Sequence, residues 1–149
     1  MPEKKTIERA KRDKREGKAP STQAGEFVRE EMHHIREGKH GAASAKQAIA
    51  IGLSKARRAG VKLRPPKKGA ASAKTRKSAA RATAAGAKKT KPSRRRSQAT
   101  RSALKRQGRS AASKTALARQ ARSAARKRGA GARSAAARRA AKTRAARTR

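Results

Sequence analysis

Every acidic residue of this chain falls within its first 37 positions: Glu3, Glu8, Asp13, Glu16, Glu26, Glu30, Glu31 and Glu37. That stretch also carries ten Lys and Arg, so it is nearly balanced. The remaining 112 residues carry 36 Lys and Arg and no acid. A segment such as "GARSAAARRAAKTRAARTR" (131–149) has no side-chain counter-charge and no aliphatic residue larger than alanine. Like charges at i, i+4 oppose helix formation. Too little apolar burial also leaves the entropy cost of ordering the backbone uncompensated. The expectation is a mostly α chain, with a small helical domain over 1–63, a Pro-containing linker over 64–69, and a basic low-complexity tail over 70–149. That tail is expected to be largely disordered alone, with transient helices.

The same asymmetry narrows function. A net charge of +38 on 149 residues points to a polyanionic partner. Without cysteine there is no disulfide framework, no thiolate nucleophile and no Cys-based zinc site. No apolar run approaches the roughly 18 residues that span a membrane, and "MPEKKTIERAKRDKREGK" lacks the apolar core of a secretory signal. A soluble cytoplasmic protein is expected. Acids confined to one end and no nucleophile–base pair argue against an enzyme, and no cofactor is implied.

Three helices are legible near 2–16, 22–37 and 45–59. The first is polar, supported by the four-apart pairs Glu8–Arg12 and Arg12–Glu16, and Ile7 gives it little with which to dock. "GKAPST" breaks the chain, and Ser21 or Thr22 can cap the second helix, whose stripe is Ala24, Val28, Met32 and Ile35 with Phe27 at its edge. Ser44 and Gln47 form an S-x-x-Q capping box for the third. Gly60 is placed to take the left-handed position after it, with Val61 folding back. The hairpin over 22–63, with nine large apolar residues, is near the size limit of roughly 40 residues below which a domain usually needs help to fold. A second copy or a protein partner docking through 22–63 would supply the missing burial.

In the tail a loose unit recurs: "KSAAR", "RSALKR", "RSAASK", "RSAARKR", "RSAAARR". Alanine favours helix and serine favours N-caps. Segments near 97–107, 110–128 and 133–147 are therefore expected to be frayed helices that fill out on a polyanion. Such a tail neutralises phosphate, each contact releasing condensed counterions. The candidate phosphate contacts are Lys55, Arg57 and Arg58 at the end of the third helix. Along the tail they are Lys67, Lys68, Lys88, Lys89, Lys91, Arg94, Arg95, Arg96, Lys105, Arg106, Arg126, Lys127, Arg128, Arg138 and Arg139. With no aromatic stacking platform, base readout is not expected. Serines beside these cations (Ser97, Ser102, Ser110, Ser123) are where phosphorylation would weaken binding.

"KSAARATAAGAKKTKPSRRR" and the RSAA segments resemble the C-terminal tails of linker histones and bacterial linker-histone-like proteins. The stretch 1–68, and "KQAIAIGLSKARRAG" above all, looks like a family of short bacterial proteins with Lys/Ala-rich tails. The resemblance implies a bacterial source and a small helical domain, and brings no activity. The resulting expectation is a histone-like, nucleoid-associated protein that binds and compacts duplex DNA without sequence choice. The alternatives are an RNA- or ribosome-associated basic protein, or an adapter whose hairpin docks on a protein.

Other signals read more plainly. His33, His34 and His40 invite a metal reading, but adjacent helical residues point about 100° apart, and a solvated polar face is the simpler account; no metal is expected. "GKHGAASAK" (38–46) lacks the phosphate-loop pattern. Its length also exceeds the usual helix-turn-helix connection.

Overall fold

The structure is a computed structural model, described here over residues 2–88 and 93–147. It divides into two compact units, Met1–Ser113 and Lys114–Arg149. Apart from an isolated bridge between Lys68 and Ala71, the described regular elements are helical.

The first unit begins with α1 (Lys4–Arg15), α2 (Pro20–Arg36) and α3 (Ala45–Arg58). All three end alike. At α3 the Gly60 N–H donates to the Arg57 carbonyl and the Val61 N–H to the Ala56 carbonyl, with Gly60 at φ +92°. Gly17 and Gly38 close α1 and α2 with the same paired bonds. Helix α2 starts at Pro20, two residues before the expected start, because a proline in the first turn loses no N–H that the helix could use. The α3 cap is as expected: the Gln47 N–H donates to Ser44 Oγ at 3.2 Å. The Gln47 side chain reaches one residue further back than a capping box requires, accepting from the Ala43 N–H at 2.7 Å.

The core holds Ala10, Ala24, Phe27, Ala56 and Val61, with Ile7, Leu53 and Leu63 packed around it. Helix α1 therefore does dock, through Thr6, Ala10 and Asp13 rather than through a large apolar face. Phe27 is central rather than peripheral, at 1% exposure. Where α2 crosses α3, Gly52 lies so close to Val28 that an added Cβ would sit 2.7 Å from its Cα.

A largely disordered tail is not what the structure contains. After the linker, α4 (Ala73–Ala87) packs against α3, burying Ala79 and Ala82. Gly86 abuts the Arg57 carbonyl so closely that no Cβ fits. Helix α5 (Arg94–Lys105) follows, and residues 104–112 then return to α2 and the loop after it. The Gly41 N–H donates to the Leu104 carbonyl at 2.9 Å and the Ala42 N–H to the Gly108 carbonyl at 3.1 Å. Arg36 Nε donates to the Ala112 carbonyl at 2.9 Å, over a 3₁₀ turn (Ser110–Ala112) whose two alanines are buried. The second unit is α6 (Lys114–Lys127) and α7 (Gly129–Arg147), in mutual contact.

The expectation of disorder failed for a physical reason. It counted large apolar residues, whereas these contacts are made by alanine and glycine, whose size lets backbones approach closely. The many cations point outward, where water and salt screen their repulsion.

Candidate nucleic-acid interface

The second unit carries 13 Lys and Arg and no Asp or Glu, so it contains no side-chain carboxylate to pair with them. In helix α6, Leu117, Gln120, Ala124 and Ala125 are half-buried. Lys114, Arg119, Arg122, Arg126 and Lys127 line an open groove on the helix with Thr115 and Ser123 between them. Thirteen steps of helix make this cationic stripe about 20 Å long. Arg126 and Lys127 also lie in the last turn of α6, where the macrodipole favours positive charge. Arg128 is exposed just beyond. Helix α7 is exposed along nearly its whole length and presents Arg138 and Arg139; Arg139 Nε donates to the Ala135 carbonyl at 3.4 Å.

In the first unit Arg58, Lys67, Lys68 and Lys88 are exposed. Arg94, Arg95 and Arg96 form the first turn of α5, held by the Arg96 N–H donating to Ser93 Oγ. Three cations at a helix N-terminus oppose the macrodipole, so an anion there removes a repulsion as well as adding an attraction. Lys105 and Arg106 are exposed at the far end of α5, and Lys105 borders a groove with Lys39, His40 and Arg109. Lys89 and Lys91 lie outside the described residues.

Two of the expected contacts face inward. Lys55 Nζ lies 2.6 Å from Glu31 Oε2 and 3.8 Å from Glu30 Oε1, both on buried side chains of α2. Arg57 is buried, its Nη2 donating to the Arg64 carbonyl at 3.4 Å, and burial pulls its guanidinium below its ordinary pKa. Of the five expected cations at 55–58 and 67–68, Arg58, Lys67 and Lys68 stay exposed.

Sequence reasoning missed the charged cluster behind Lys55. Glu31 is four residues from Phe27 and four from Ile35, on the buried stripe of α2, and is itself fully buried. His34 and His40 stand beside it, their rings 6.3 Å apart and nearly perpendicular. Donor atoms of Glu31, His34 and His40 lie within 4.8 Å of one another. The readable signal was a carboxylate on an otherwise apolar stripe.

Among the described residues no helix is long and apolar enough to cross a membrane. No curated protein and no solved structure matches the chain. Residues 19–68, which hold α2, α3 and the start of the linker, match a family of unknown function (DUF6496), so the hairpin is the part of the chain that is similar to a known family.

Proposed function

We propose that the protein binds duplex nucleic acid without sequence choice, DNA in the first place, by neutralising phosphates, as a histone-like protein of the nucleoid does. The observation that carries this reading is the cationic groove of α6: five Lys and Arg line it, with Arg119, Arg122 and Arg126 within about 60° of one another around the helix, in a unit with no acid to neutralise them. Stacking on unpaired bases has little to work with, since the chain has one Phe and that Phe is buried in the core. Backbone contact to a duplex needs only charge and reach.

Fluorescence anisotropy of the full chain with two unrelated DNA duplexes and a matched RNA duplex tests the reading. Affinities for the two DNA sequences should agree within about threefold, as electrostatic binding requires. The triple variant Arg119→Gln/Arg122→Gln/Arg126→Gln should flatten the salt dependence by about one contact per residue removed. A clear preference for RNA moves the function to RNA or ribosome association. Binding that survives the triple variant unchanged removes α6 from the interface.

A further inference from the structure

Between α2, the loop after it and α3, two buried carboxylates and two imidazoles gather around Lys55. Glu31 holds Lys55 on Oε2 and turns Oε1 toward His40 Nε2 at 3.3 Å. His40 Nδ1 lies 3.1 Å from the Gly41 carbonyl. A carbonyl only accepts, so Nδ1 donates there, and Nε2 is the ring nitrogen turned toward Glu31. His34 repeats the pattern. Its Nε2 lies 2.8 Å from Glu3 Oε1 and donates there, which leaves Nδ1 facing Glu30 Oε1 at 3.9 Å. Glu30 and Glu31 are both buried; Glu31 Oε2 is ion-paired with Lys55, while Glu31 Oε1 and Glu30 Oε1 have no hydrogen bond among the described residues. Among the described residues Lys55 is the single ammonium facing the two carboxylates. One carboxylate and two imidazoles are thus brought to one place, around a buried Glu31 oxygen that has no hydrogen bond.

We propose that Glu31, His34 and His40 bind one divalent transition-metal ion of the zinc class, through Glu31 Oε1 and one nitrogen of each imidazole. Two imidazoles and a carboxylate are the donors such ions take, and ligand atoms around a tetrahedral ion stand about 3.4 Å apart. The donor atoms here lie within 4.8 Å of one another, so binding the ion requires the side chains to rotate inward. The outer ring nitrogens are already held, His34 by the Glu3 carboxylate and His40 by the Gly41 carbonyl, which is how metal-bound histidines are oriented. Lys55 stays on Oε2, outside the coordination sphere. The ion ties α2 to the loop on which residues 104–112 are seated, and leaves a fourth position for water. His33 is exposed and takes no part.

Titrating the metal-stripped full chain with Co(II), read by visible absorption, tests this. One equivalent should bring up the d–d bands of a low-coordinate site, and Zn(II) should abolish them. His33→Asn should behave as wild type, whereas His40→Asn and Glu31→Gln should lose the bands. Absence of the bands from the wild type at stoichiometric Co(II) overturns the proposal, as does their loss in His33→Asn with retention in His40→Asn. Should His40→Asn prove unfolded by far-UV circular dichroism, the wild-type titration alone still decides.

Discussion

At the scale of single residues, the chain's few acids are spent on holding its beginning together. Lys55 balances two buried carboxylates, so Lys55→Met strands them. We expect a loss of about 3 kcal/mol in urea unfolding, the usual result of breaking a buried pair. The double variant Lys55→Met/Glu31→Leu should recover much of it. Equal losses in the single and double variants would contradict the pairing. Lys18 works on the surface, its Nζ 2.8 Å from Asp13 Oδ1 and 2.7 Å from Glu16 Oε2. The Lys18 hydrogen bond holds the Glu16 carboxyl below its ordinary pKa, and the bond to Asp13 raises that of Lys18. A lowered carboxyl contributes stability above its unfolded value, and that contribution is lost as pH falls through the folded one. The acid loss between about pH 5 and pH 3 should therefore be shallower in Lys18→Met. Superimposable stability–pH curves would show that this bridge contributes nothing.

At the scale of elements, helix ends were legible and helix contacts were not. The Ser44 cap and the Gly60 stop of α3 are set by local backbone geometry, so the sequence carries them in a few residues. Helix α4 was not foreseen, although "GAASAK" at 69–74 repeats the hexapeptide at 41–46 that opens α3. Ser72 caps α4 as Ser44 caps α3, each accepting from an N–H three residues on at 3.2 Å. The serines of the RSAA units, by contrast, mostly fall inside helices, as Ser78, Ser102, Ser123 and Ser134 do. What makes α4 pack is alanine and glycine, which a search for large apolar stripes passes over. Gly86→Ala sets a methyl against the Arg57 carbonyl and should free α4 at a cost of about 1–3 kcal/mol, typical of overpacking. Limited trypsin digestion reads it directly, with faster cleavage after Lys74, Arg76, Lys77 and Arg81. Gly131→Ala, with open space around it, should leave the pattern unchanged. Equal cleavage of wild type and Gly86→Ala would mean that α4 is not held against α3. The candidate metal cluster escaped for a related reason: spacing along one helix separates His33 from His34, while His40 and Glu31 meet only through the turn at Gly38.

At the scale of the whole molecule, charge and fold are divided between the units. The first holds all eight acids and the residues similar to DUF6496, while the second holds helices with cations alone. The proposal of a polyanion partner rests on net charge, a property read from the sequence and independent of fold. Which cations are free to meet it needed the structure, which turns Lys55 and Arg57 inward and leaves the α6 stripe outside. The most direct test of phosphate neutralisation is the affinity of the full chain for a duplex of arbitrary sequence across a salt series. Engagement of about ten cations predicts that log K falls with log salt at a slope near −9. A slope shallower than about −3 would contradict the account, since so few released counterions would leave the chain's charge outside its binding.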